Sequence, residues 1–295
     1  MYLERLPISL HSLNHRLLIE KNISLQVARF DLLHPVVSGN KFYKLYYFLQ
    51  EALGLQTTHI TSFGGAYSNH LVATACACML EGLACTGMVR GEMPAVLSPT
   101  LQQCRDYHMT LQFMSRSTFA DNCLTYHADK EAMLIPEGGY HPLGAAGAAL
   151  MYADANLQSA SHICLAAGTA TTLAGILQAA DHRQQVIAVP VLKGLIDLEE
   201  RLQYLNGKSH YPNLSIWPQY HFGGYAKKDA SLLRFMNDLY EQQQLPTDFV
   251  YTAKMLYAVW HQVEQNYFSP GSTIICLHTG GLQGNRSLAG DSIIF

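Results

Sequence analysis

Seven short apolar runs, each closed by glycine, proline or polar residues, constrain what this 295-residue chain can fold into more than any other feature. They cover residues 59–63, 84–89, 110–113, 132–135, 162–165, 185–189 and 272–277, and most are separated by stretches with helical spacing, at 42–53, 69–81, 99–107, 144–155 and 230–243. Apolar runs of this length with little internal alternation suit strands buried on both faces, as in a parallel sheet covered by helices. Strand and helix taking turns along the chain predict an α/β fold with mostly parallel sheets flanked by helices.

Composition narrows the partners. A hydrophobic fraction of 49 % against 14 % charged residues predicts a well-buried protein, since disordered chains carry the opposite bias. A formal net charge of −3 gives no basic footprint for nucleic acid. The most apolar segment, 71–80, stops at Glu81 and is too short to span a bilayer. Residues 1–7 carry no basic leader backed by an apolar stretch, so a cytoplasmic protein without membrane attachment is expected. The seven cysteines form no CxxC pair and read as buried free thiols. The fourteen histidines show no metal-ligand spacing: there is no HExxH, and His11 with His15 lacks a third ligand, so no metal is expected.

Chemistry concentrates in three turn-rich segments. Ser38-Gly39-Asn40-Lys41 precedes one helical pattern, and Gly64-Gly65-Ala66-Tyr67-Ser68-Asn69-His70 leads into another. Residues 163–176 read as an apolar strand, a small-residue turn (Gly168, Thr169, Ala170, Thr171, Thr172) and the start of a helix. Such a turn leaves backbone N–H groups unpaired at a helix N-terminus, where they and threonine hydroxyls can hold a phosphate dianion; an ordinary strand-to-helix turn is the plain alternative. Most lysines that open a helix are solvated, but one beside a phosphate seat can bind an aldehyde cofactor covalently.

Taken together, Gly39-Asn40-Lys41 with Lys44-Leu45, Gly64-Gly65 with Ser68-Asn69-His70, Ile135-Pro136-Glu137-Gly138-Gly139 with Pro142-Leu143-Gly144-Ala145, Gly168-Thr169 with Thr171-Thr172 and Ala174-Gly175, Val250-Tyr251-Thr252 with Lys254, and His278-Thr279-Gly280-Gly281 span nearly the whole chain. In that order they resemble the fold-type II (tryptophan synthase β-like) pyridoxal-phosphate enzymes, in the branch of 1-aminocyclopropane-1-carboxylate deaminase and D-cysteine desulfhydrase.

The resemblance implies two lobes, a smaller one at 50–147 inserted into a larger one made of 1–49 and 148–295, with pyridoxal 5′-phosphate between them. It implies that Lys41 holds the cofactor as an imine and later moves substrate protons, that Asn69 hydrogen-bonds the cofactor's 3′-oxygen, and that residues 168–172 hold the phosphate. Asn69 also reads as a turn residue serving its helix, and the two roles are compatible. The N–H groups of Ser68, Asn69 and His70 offer a seat for a substrate carboxylate. Ser68 matches a serine with a catalytic role in the deaminases but reads here rather as a carboxylate donor. Tyr251 falls beside the substrate, where its hydroxyl would help proton transfer or orient the leaving group; a buried, paired tyrosine is the alternative. Tyr225 reads as a cleft residue.

Two positions point to a branch. Thr252 and Thr279 stand where the deaminases have glutamate and leucine, and a hydroxyl stabilises a pyridinium less than a carboxylate does. That favours α,β-elimination from a β-substituted D-amino acid such as D-cysteine, giving pyruvate, ammonia and sulfide. The deaminase reaction is the second reading, and a cofactor-binding protein without turnover is the third. Tyr43 replaces a common arginine, Tyr67 a glutamine and Ala170 a glycine; the last matters if the position needs positive φ, which costs a residue with a β-carbon about 1 kcal/mol or more. Enzymes of this kind are commonly dimers, so a homodimer acting on a small amino acid is expected.

Overall fold

A computed structural model describes residues 7–194, 196–288, 290 and 292–295. Residues 1–6, which hold most of the segment read above as lacking a leader, lie outside the described residues. In chain order the elements are β1 (Leu10–Ser12), α1 (Arg16–Glu20), β2 (Ser24–Ala28), α2 (Asn40–Leu55), β3 (His59–Gly64), α3 (Asn69–Glu81), β4 (Ala84–Arg90), α4 (Pro99–Asp106), β5 (Thr110–Met114), α5 (Arg116–Asn122), β6 (His127–Ala128), β7 (Ala132–Ile135), α6 (Pro142–Asp154), β8 (His162–Ala167), α7 (Thr171–Ala179), β9 (Gln185–Pro190), α8 (Leu198–Asn206), β10 (Leu214–Ile216), α9 (Ala230–Gln243), α10 (Thr252–Glu264) and β11 (Thr273–Leu277).

The strands form two sheets, of order β1-β2-β11-β8-β9-β10 and β5-β4-β3-β7-β6. Pairing is parallel throughout except at one edge of each, where β1 meets β2 and β6 meets β7 antiparallel. All seven apolar runs are strands and all five helical patterns are helices, with ends shifted by two residues at most. Burial on both faces explains the runs: Ile163, Cys164 and Leu165 of β8 are all fully buried. All seven cysteines are buried free thiols. No helix among the described residues is long and apolar enough to cross a membrane.

Helices α2, α6 and α7 pack closely enough to exclude side chains. A Cβ on Gly147 would lie 2.1 Å from the Tyr43 carbonyl oxygen, and one on Gly175 2.5 Å from that of Ala145. This layer joins the sheets through one apolar cluster that contains Phe48 and Leu49 of α2, Ile60 of β3 and Leu165 of β8. Each such side chain contributes about 1.5–3 kcal/mol on burial. The packing also sets the N-terminal ends of α2 and α7 side by side, where the Asn40 side-chain amide donates to Thr172 Oγ1 at 2.8 Å.

Candidate active site

Parallel strands direct their carboxyl ends, and the helix N-termini that follow, to one side of a sheet, the usual place for a ligand in such folds. Here the ends of β3, β4, β7, β8 and β11 meet around a cavity of about 520 Å3. Of the residues singled out from the sequence, Lys41, Ser68, Asn69, His70, Gly168, Thr169, Ala170, Thr172, Tyr225, Tyr251 and Thr279 line it. Thr171 and Thr252 do not; both are fully buried behind the wall.

Lys41 enters the cavity from the first turn of α2, after a turn only glycine can make. Gly39 has φ +62°, and a Cβ there would lie 2.0 Å from the Thr279 carbonyl oxygen, the same oxygen that accepts from the Asn40 N–H at 3.2 Å. The Lys41 amine donates to Asn40 Oδ1 at 2.7 Å. Burial lowers its pKa to about 8, against a smaller upward pull from Asp248. One turn on, buried Lys44 donates to the Gly138 carbonyl at 3.1 Å, and burial holds its amine well below the usual lysine range.

The turn after β8 has a hydrogen-bonding edge turned to the same space. Ala170 adopts φ +68° at the N-cap of α7, a position with no side-chain cap, and the helix has no acidic residue in its first turn. Its leading N–H groups therefore lack intrahelical acceptors. Thr172 supplies a hydroxyl on the cavity wall, and the Thr169 and Thr171 hydroxyls bond each other at 3.0 Å. Thr171 thus acts through the turn's shape, not from the wall.

At the start of α3, Ser68 caps the helix by accepting from the Leu71 N–H at 3.2 Å. Its own N–H is already given to the Gly65 carbonyl at 3.0 Å, so Asn69 and His70, not all three residues, retain free N–H groups for an anion. The buried Asn69 Oδ1 has no partner among the described residues. His70 is 2 % exposed and makes no hydrogen bond of good geometry; burial, then the charges of Lys41 and Lys44, hold its imidazole well below its ordinary pKa and hence neutral, with only weak opposition from the Pro136 carbonyl.

Tyr251 lies against Gly168, where a Cβ would be 3.3 Å from its Cε1, and meets the Tyr225 ring edge-on at 6.1 Å. Burial pushes its phenol well above the usual range, so it stays protonated. Thr252 begins α10, and successive helical residues differ by about 100° around the axis, so its side chain turns into the core where that of Tyr251 faces the cavity. Its Oγ1 has no partner among the described residues. Thr279, after β11, is the threonine of this pair that reaches the wall. Of the departures from the family pattern, Tyr67 is on the wall and 48 % exposed, whereas Tyr43 is buried with its hydroxyl donating to Asp154 at 3.0 Å.

Several residues were given no role in the sequence reading, although Glu137 and Lys254 stand in its matching segments. Asp248 accepts from the N–H groups of Val250, Tyr251 and Thr252 and so fixes the entry to α10; an aspartate shortly before a helix is a readable signal of this kind. Lys254 is fully buried and donates to the carbonyls of His221 and Gly224 at 2.9 and 2.8 Å, fastening the turn that carries Tyr225. Arg90, Glu137 and Arg201 also line the cavity. Arg201 is paired with Asp197 at 2.7 Å.

The donor set suits a flat aldehyde bearing a phosphate: an amine of lowered pKa, an open helix N-terminus with hydroxyls beside it, and an unsatisfied amide between them. Comparison with known proteins agrees. The chain is 24% identical over 290 residues to a Pyrococcus abyssi protein provisionally named 1-aminocyclopropane-1-carboxylate deaminase, covering 90% of this chain and 86% of that one. It is 24% identical over 281 residues to a D-cysteine desulfhydrase of Salmonella choleraesuis, covering 86% of each. The crystal structure of an ACC deaminase homologue superposes with a TM-score of 0.77 at 21% identity, covering 96% of this chain and 94% of that chain, which shows a shared fold. The family profile described as "Pyridoxal-phosphate dependent enzyme" matches residues 26–280, and the chain belongs to that family.

Proposed function

We propose that this pyridoxal-phosphate dependent enzyme is a lyase that eliminates the β-substituent of D-cysteine or a related β-substituted D-amino acid. With D-cysteine the balance is one substrate and one water to pyruvate, ammonia and hydrogen sulfide. The bound cofactor supplies the electron sink that makes the α-proton acidic. Lys41 holds the cofactor's aldehyde and, once released by the substrate's amine, takes the α-proton. The open N–H groups of Asn69 and His70, with the Ser68 hydroxyl, seat the substrate carboxylate, and the Asn69 amide holds the cofactor's 3′-oxygen. The turn 168–172 holds the phosphate. Tyr251, protonated and on the cavity wall against Gly168, would orient the departing thiolate. In the same reading the chain is a cytoplasmic homodimer, and its lobes divide at 1–49 with 148–295 and at 50–147.

The observation that carries the choice of reaction is Thr279, a hydroxyl on the wall beside the Gly39–Lys41 turn. Among the described residues the acid lining the cavity is Glu137, which comes from the smaller sheet's side. A ring nitrogen held by a hydroxyl stays closer to neutral, which suits prompt loss of a leaving group more than opening of a cyclopropane. Pyruvate release should be measured with D-cysteine, L-cysteine, D-serine and 1-aminocyclopropane-1-carboxylate side by side. Faster turnover of D-cysteine is expected, and the visible absorption of the lysine-bound cofactor should vanish in Lys41→Ala. Faster turnover of the cyclopropane substrate would transfer the assignment to the deaminases.

A further inference from the structure

The cavity wall holds two opposite charges that the elimination above does not use. In the smaller sheet β3 lies between β4 and β7. β4 ends at Arg90 and the chain leaving β7 reaches Glu137 two residues later, so the pair flanks the 65–70 turn that follows β3. Both line the cavity. The Arg90 guanidinium rests over the Phe119 ring at 5.2 Å, with Nη2 3.3 Å from where a Cβ on Gly65 would sit. Neither side chain makes an ion pair or a side-chain hydrogen bond among the described residues. They do feel each other: burial raises the Glu137 carboxyl, and Arg90 pulls it back. Two opposite charges on one cavity wall, Arg90 exposed and Glu137 half-buried, that do not close on each other are complementary to a ligand group that carries both signs.

We propose that Arg90 and Glu137 form a subsite for an α-amino-acid zwitterion, the guanidinium taking its carboxylate and the carboxylate its ammonium. Resting on the lyase reading, this makes the preferred substrate one whose β-substituent is itself an amino acid joined through sulfur. For lanthionine the Cβ–S bond breaks with its electron pair going to sulfur. The α-proton passes to Lys41, the thiolate leaves and is protonated to cysteine, and water converts the remainder to pyruvate and ammonia.

The test compares D,D-lanthionine with S-propyl-D-cysteine, a neutral thioether with a similar leaving group. Wild-type kcat/KM should favour lanthionine by about tenfold or more, and Arg90→Met and Glu137→Gln should each reduce that ratio about tenfold, as loss of one charge-assisted hydrogen bond does. Calorimetric titration of borohydride-reduced holoenzyme, in which the cofactor is fixed to lysine, should show the same loss in lanthionine affinity. No wild-type preference, or equal losses on both thioethers, would overturn the subsite, because Arg90 would then serve the α-carboxylate or the fold. An enzyme inert toward every amino acid would sink the lyase reading instead, and the titration would still decide the subsite.

Discussion

At the scale of single residues, the proposed reaction depends on a lysine kept ready to react. With its pKa lowered to about 8, Lys41 is mainly protonated at pH 6 and about half neutral at pH 8. Only the neutral amine attacks an aldehyde. The rate at which cofactor-free protein captures pyridoxal phosphate should therefore rise nearly tenfold per pH unit below 8 and level off above it. Stopped-flow absorbance would show this, and a rate still climbing steadily to pH 10 would mean an unperturbed lysine. Ala170 makes the opposite kind of statement. Its φ of +68° is the conformation in which a β-carbon is strained, so alanine here stands where the backbone asks for glycine. Glycine would relieve that strain but loosen the unfolded chain, and Ala170→Gly should gain about 0.5–1 kcal/mol net in denaturant melts. Destabilisation would show that the methyl group's packing outweighs the strain.

At the scale of elements, the helices α2, α3, α7 and α10 each bring an N-terminal turn to the cavity, and the turn before α9 is tied in differently. Residues 222–226 include positive φ at Phe222, Gly223, Gly224 and Ala226, a conformation that needs outside support. Lys254 supplies it through two carbonyls. Burial lowers its pKa to about 8, so the amine is held in place at some desolvation cost. Lys254→Met should keep or raise the melting temperature while freeing the turn. Trypsin should then cut after exposed Lys227 or Lys228 about fivefold faster or more, and KM should rise as Tyr225 loses its place. Unchanged cleavage would show that the turn holds itself. Legibility divides along the same lines. Strands buried on both faces announced themselves as apolar runs, but β2 did not, because Ser24 and Gln26 interrupt it; Gln26 donates to Ser12 on the neighbouring edge strand. β10 is only three residues long. The site was readable where it is local, in the turns around Lys41, Asn69 and Gly168. Arg90 and Arg201 were not, since topology alone brings them to the cavity. Thr252 was misplaced from the wall by the rotation between one helical residue and the next.

At the scale of the molecule, the cavity is where the two sheets answer to each other. Lys41, the 168–172 turn and Thr279 come from segments bordering the larger sheet, while the 65–70 turn, Arg90 and Glu137 come from the smaller. A cofactor held by both must stabilise the fold as a whole, since it binds the assembled site and not its separated parts. At a concentration about a hundredfold above its dissociation constant it contributes about 2.7 kcal/mol. For a chain of this size, with an unfolding entropy of about 0.6 kcal/mol/K, that amounts to a rise of roughly 4 °C in Tm. Stripping the cofactor should therefore lower a single calorimetric transition by that amount, and adding it back should restore the original value. Lys41→Ala should recover only part of the increment, because in the proposed roles residues 168–172 and Asn69 would still bind once the covalent link is gone. If stripping split the transition in two, with only one component sensitive to the cofactor, one sheet would be holding it alone. An unmoved Tm would place the cofactor outside this cavity.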